Sequence, residues 1–117
     1  MENTKVMKIG RVLKELGVSP KLIGYNYILA AIDFQMQDPK WCRGITRKLY
    51  PEIARIYETT PIRVERCIRH AVESGWQRGN IEFYQEIFGH TMNLNAGKPS
   101  NMEFICTVAD YLNLNLH

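Results

Sequence analysis

Residues 60–80, Thr-Pro-Ile-Arg-Val-Glu-Arg-Cys-Ile-Arg-His-Ala-Val-Glu-Ser-Gly-Trp-Gln-Arg-Gly-Asn, decide how this chain folds. Thr60 followed by Pro61 is a helix start, because the threonine hydroxyl can take an orphan N–H and a proline at the first helical position forfeits no hydrogen bond. The spacing predicts a helix from about Thr60 to Arg78, with Gly79 as a left-handed cap. At about 100° per residue, Val64, Cys67, Ile68, Ala71, Val72 and Gly75 fall on one arc, and Ile62, Arg63, Glu65, Arg66, Arg69, His70 and Glu73 on the other. A core-facing stripe of small and β-branched residues thus lies opposite a face crowded with long hydrogen-bonding side chains. Gly75 on that stripe predicts the close passage of another helix, with a short helix at Pro51 as the nearest candidate.

Upstream, Pro51 forbids an uninterrupted helix, so Tyr50 is read as a break and Pro51 as the start of a short helix to about Tyr57. Glu58 and Thr59 leave room only for a tight turn. A short helix, a brief turn and a capped second helix make a helix-turn-helix, whose second helix enters the major groove of DNA by its N-terminal end. Arg63 and Arg66 lie one turn apart, and each suits a bidentate contact to guanine O6 and N7, while Glu65 can accept from cytosine N4. Ile62 can touch a thymine methyl, and Arg69 and His70 extend the same face. The Thr60 hydroxyl and the helix N-terminus suit a phosphate, and Arg47 and Lys48, ahead of the motif, suit the DNA backbone. The plainer reading is a solvated helix with a Glu65–Arg69 ion pair worth only ~0.3–0.5 kcal/mol.

The flanks read as further helices. Val6, Ile9, Val12, Leu13 and Leu16 recur at helical spacing up to Gly17. Ser19 and Pro20 are expected to open a second helix carrying Leu22, Ile23, Tyr27, Ile28, Ala31 and Ile32, and a third helical stretch runs from about Pro39 to Lys48. Asn80 should cap a helix through Phe88 to Gly89, His90 to Pro99 is a loop, and Ser100 with Glu103 forms a capping box for a last helix through Leu112. No segment shows strand alternation and no repeat is evident. The class is all-α.

A chain of 117 residues, 45% hydrophobic and 23% charged, is read as one globular domain spanning 1–117. The longest apolar run, Tyr27 to Ile32, is far short of a membrane helix and no signal-peptide core is present, so a cytoplasmic protein without membrane contact is expected. The net charge is only +3, but residues 41–79 hold eight basic against four acidic side chains, seven of the eight being arginine, so the charge is concentrated in the centre.

Other chemistries find no support. Cys42, Cys67 and Cys106 are odd in number and lack CxxC spacing, so reduced thiols are expected, with Cys67 and Cys106 as inert core residues. His70, His90 and His117 have no metal-ligand spacing. No partnered nucleophile, phosphate-cradling glycine loop or carboxylate pair appears, so neither enzyme activity nor a cofactor is expected. Trp41, Tyr50 and Trp76 suggest a stacking platform for single strands, but aromatics at helix edges usually bury against neighbouring helices.

The run Arg63-Val64-Glu65-Arg66-Cys67-Ile68-Arg69-His70-Ala71, with Trp76, Arg78, Gly79, Asn80 and Ile81, strongly resembles the C-terminal DNA-binding effector domain of the sporulation-initiating response regulators, the stage zero sporulation protein A family. Leu49-Tyr50-Pro51, Ile53-Ala54, Phe88-Gly89, Thr91, Lys98-Pro99, Asn101, Glu103-Phe104-Ile105, Val108-Ala109-Asp110 and Leu112 match in order, and Val12-Leu13 through Tyr27 more loosely. The resemblance implies a six-helix bundle containing a helix-turn-helix, double-stranded DNA as partner, and transcriptional regulation of sporulation genes. It implies DNA-facing positions at Arg63, Glu65, Arg66, Arg69 and His70. It also implies head-to-tail self-association on tandem sites and contact with a sigma subunit of RNA polymerase near Ile81 to Gly89. Where the family has a small polar residue before the first recognition arginine, this chain has Ile62. The phosphorylated receiver domain that precedes the effector in the family is not expected within residues 1–7, and the sequence leaves open whether it is naturally missing or has been removed. The rival reading is a receiver-less interaction module that pairs with a full-length regulator or a sigma subunit without binding DNA.

Overall fold

The computed structural model describes residues 3–90 and 92–115; Thr91 and His117, which figure in the sequence reading, lie outside them. The described residues form seven α-helices and no strand: α1 Asn3–Glu15, α2 Ile23–Gln37, α3 Lys40–Arg43, α4 Tyr50–Ile56, α5 Pro61–Arg78, α6 Ile81–Phe88 and α7 Asn101–Leu114. A single π-helical turn, Ile45–Leu49, joins α3 to α4, and a 3-10 turn, Leu94–Ala96, interrupts the loop before α7. Because α3, the π turn and α4 form one nearly continuous segment, the expected six-helix bundle is recovered as six packed units.

α2 is the central element. Gly24, Tyr27, Ile28, Ala30, Ala31 and Ile32 are all buried, and a helix that is apolar nearly all round must be enclosed by others. α5 and α7 cover it, α1 packs alongside, and α4 lies against α5. Ile9, Leu13, Leu16, Ile28, Ile32, Leu49, Ile53, Ile68 and Phe104 are fully buried within one core.

Several expected boundaries shift for local reasons. α2 begins at Ile23, because the Ser19 hydroxyl takes the Lys21 N–H into a turn and Leu22 is extended (φ −76°, ψ 142°). Tyr50 does not break the chain. The Leu49 N–H bonds to the Gly44 carbonyl and the Tyr50 N–H to that of Ile45, so the widened π turn delivers the helix to Pro51 without interruption. Gly79 is not a left-handed cap, since its backbone is extended (φ −75°, ψ 169°). Glycine is needed there for space: a Cβ would lie 2.6 Å from the Leu16 carbonyl oxygen and 2.6 Å from the Tyr84 ring. Gly75 likewise faces the Leu16 carbonyl and the Tyr84 hydroxyl at the end of α1 and on α6, and not α4. Gly17, at φ +79°, does supply the left-handed turn that ends α1.

The thiols also sort differently. Cys42 is buried, while Cys67 and Cys106 are only half-buried, and all three are free. A hydrogen bond between Cys42 and Cys106, together with burial, raises the Cys42 pKa far above the ordinary thiol range. The same hydrogen bond lowers that of Cys106. Trp41 packs on Phe34 and Trp76 edge-on against Tyr84, with centroids 5.1 Å apart in both pairs, so both tryptophans, only partly buried, serve packing between neighbouring helices.

Two polar side chains are buried in α2. Gln35 accepts the Cys42 N–H at 3.0 Å and so ties α3 to α2. Asp33 accepts from Gln37 at 2.9 Å through Oδ2, while Oδ1 has the Lys5 ammonium at 2.9 Å as a charge partner but no hydrogen bond of good geometry. Removing Lys5 strands a buried carboxylate, but Lys5 is itself partly solvated, which screens the pair. Lys5→Ala is therefore expected to cost about 1 kcal/mol. A lowered midpoint in urea denaturation tests this, and an unchanged midpoint contradicts it.

Candidate nucleic-acid interface

The tight turn between α4 and α5 is closed by Glu58, which takes a left-handed conformation (φ 53°) usually left to glycine, and by the Thr59 N–H bonding back to the Ala54 carbonyl at 2.9 Å. α5 then starts where the Thr-Pro pair predicts. Thr60 is extended and its hydroxyl oxygen accepts the Arg63 N–H at 3.2 Å, which leaves the hydroxyl proton free to donate outward.

Val64, Ile68, Ala71, Val72 and Gly75 are buried along one side of α5, as the wheel predicts. Cys67 stands at the margin of that stripe, half-exposed. On the other side Ile62, Arg63, Arg66, Arg69 and His70 are exposed, Ile62 to 65%. An exposed isoleucine on a charged face is a large apolar group with no partner in the fold. Among the described residues neither Arg63 nor Arg66 forms an ion pair, so both guanidinium forks are available to a ligand.

Glu65 and Arg69 are placed differently. Glu65 is half-buried; its Oε1 faces the Arg69 guanidinium at 3.7 Å and its Oε2 lies 3.4 Å from the Asn101 amide. The ion pair of the plainer reading therefore exists, but on one flank of the arginine face only. Arg47 and Lys48 are exposed on the π turn. That turn borders α5 through a cleft of about 360 Å³, whose walls include Thr46, Tyr50, Glu65, Arg69, Lys98 and Asn101.

Lys98 and Asn101 are the residues that the sequence reading left without a site role. The Lys98 ammonium lies 3.7 Å from Glu73 on α5, so the loop before α7 folds onto the same helix. The capping box, in which Ser100 and Glu103 take each other's N–H groups, signals where α7 begins. Nothing local signals that this beginning abuts α5. Among the described residues no group of three or more His, Cys, Asp or Glu side chains is arranged to hold a metal ion, and no helix is long and apolar enough to cross a membrane.

A short helix, a four-residue turn and a capped helix with a packed inner stripe and an arginine-rich outer face define a helix-turn-helix domain within an all-helical bundle. The family model described as Sporulation initiation factor Spo0A C terminal matches residues 9–112, nearly the whole chain. The chain belongs to that family.

Proposed function

We propose that this domain binds double-stranded DNA in a sequence-specific way and regulates transcription, with sporulation genes as targets, by inserting the N-terminal half of α5 into the major groove. The observation that carries the reading is the pair of unpartnered, exposed arginines, Arg63 and Arg66, one turn apart on a helix whose opposite stripe is packed into the core. In that role each guanidinium reads guanine O6 and N7, and Glu65 accepts from an amino-bearing base edge. Ile62 meets a thymine methyl, Arg69 and His70 extend the contact, and the Thr60 hydroxyl with the α5 N-terminus, Arg47 and Lys48 hold phosphates. The reading places the protein in the cytoplasm, where its DNA is.

α6 supports a second contact of the same regulator. Ile81, at the first position of α6, is 81% exposed next to the exposed Glu82, and Glu86 is exposed one turn further along, where the Tyr111 hydroxyl faces its carboxylate. An apolar group with acidic neighbours on one short helix suits a basic protein partner such as the sigma subunit that the family resemblance implies. Head-to-tail pairing of two copies on a tandem site belongs to the same reading.

Fluorescence anisotropy on a labelled duplex tests the DNA contact. If four or more phosphates are neutralised, log Kd should change with log salt by a slope of about 3 or steeper in magnitude, binding weakening as salt rises. Retained affinity with a flat salt response counts against it, and no binding at low salt favours an interaction module that does not touch DNA.

A further inference from the structure

Asn101, the first residue of α7, joins three elements through one side-chain amide. Its Nδ2 lies 3.0 Å from the Tyr50 hydroxyl at the start of α4, 3.3 Å from the Glu65 carbonyl oxygen and 3.4 Å from Glu65 Oε2 on α5. Tyr50 is 5% exposed, so the amide is moored to a fixed wall and not to a surface rotamer. The amide has two protons for these three acceptors, so Oε2 shares one of them with the Glu65 carbonyl oxygen while Oε1 is turned to Arg69 at 3.7 Å, and both carboxylate oxygens keep lone-pair capacity for a further donor.

A glutamate on a free helix surface samples many rotamers and must be ordered when it binds. One held by a neighbouring amide presents its acceptor already placed. We propose that Asn101 is a specificity-determining positioning residue: it holds Glu65 at the edge of the arginine face, so that the carboxylate selects an amino-bearing base edge, cytosine N4 or adenine N6. A carboxylate so held also repels guanine O6 and thymine O4, which sharpens the choice at one base pair while Arg63 and Arg66 read others. The inference rests on the reading that α5 enters the major groove.

The test starts from a consensus duplex selected by the wild-type chain from a random pool, with every base pair then varied singly. Asn101→Ala, Glu65→Ala and the double variant are compared on this set by anisotropy. Asn101→Ala should reduce discrimination about fivefold or more at the same single base pair that Glu65→Ala affects. It should leave the other positions unchanged and add nothing in the Glu65→Ala background, the signature of two residues acting as one unit. Tyr50→Phe keeps the buried ring but removes the hydroxyl that moors the amide, and should move the same base pair in the same direction by less. It carries the test should Asn101→Ala fail to fold. An unchanged profile, an equal loss on every duplex, or a full Asn101→Ala effect without Glu65 overturns the inference while the groove reading stands. Failure of the wild-type chain to select any consensus overturns both.

Discussion

Arg66→Ala should weaken binding to the preferred duplex by about 1–3 kcal/mol and leave binding to random duplex nearly unchanged. The expectation follows from where α5 puts the residue. Arg66 projects from the middle of the exposed face, one turn from Arg63, with no carboxylate among the described residues to hold it back. A guanidinium that reads O6 and N7 contributes to one sequence, whereas a cation on the backbone contributes to all. Arg63→Ala should act in the same way. Arg47→Ala and Lys48→Ala, on the exposed π turn, should weaken preferred and random duplexes alike. Ile68→Val serves as the control: Ile68 is fully buried, so the change should cost about 0.5–1.5 kcal/mol of stability and leave the preferred-to-random ratio intact. Cys67 suits that purpose less well because it is only half-buried. Should Arg66→Ala reduce both affinities by one factor, α5 does not read bases through this residue.

Gly24→Ala should destabilise the fold by about 3 kcal/mol, the upper part of the overpacking range, and so reverse the usual sign of a glycine-to-alanine change inside a helix. Gly24 is the second residue of α2, so helix propensity predicts a gain there no larger than the ~0.5–1 kcal/mol of a helix interior. Tertiary geometry opposes it. At Gly24 a Cβ would stand 2.1 Å from the Cys67 carbonyl oxygen and 2.6 Å from its carbon, with the Ala71 methyl at 3.2 Å. These are backbone atoms of the middle of α5, which cannot swing aside as a long side chain would, so α2 and α5 must separate along the crossing that builds the core. Loss of the urea midpoint, with helical circular dichroism retained at low denaturant, is the expected record. A variant as stable as the parent would show that the crossing has slack. Because the same crossing carries α5, DNA affinity should fall with stability and the preferred-to-random ratio should change less than in Arg66→Ala.

Most of the secondary structure was legible because its determinants are local. Thr60-Pro61, Asn80 and the Ser100/Glu103 box each satisfy N–H groups within three residues, and all three caps stand where the sequence puts them. The 3.6-residue period of α5 separated Val64, Ile68, Ala71, Val72 and Gly75 from the arginines without any knowledge of what covers them, since burial of an amphipathic helix follows from its own pattern. Family membership was legible for a related reason: the flanking helices carry matching residues in order along nearly the whole chain.

What the sequence left open depends on groups far apart in the chain. Gly79 looked like a conformational glycine and proves to be a spatial one, because Leu16 and Tyr84 occupy the volume of its missing side chain. Gly75 announced a close approach, but the partner, the end of α1 with Tyr84 of α6, could not be named from periodicity. The π turn before Pro51 adds one residue to a helical ring, a change in backbone bonding that leaves no mark in an apolar pattern. Glu65 shows the division most clearly. Its place on the outer face follows from the 3.6-residue period of α5 alone, but its attachment to Asn101, thirty-six residues away, exists only because α7 begins beside α5. Local hydrogen bonds and hydrophobic period are properties of consecutive residues, whereas close approach and side-chain orientation arise only when helices distant in sequence are packed to interior density.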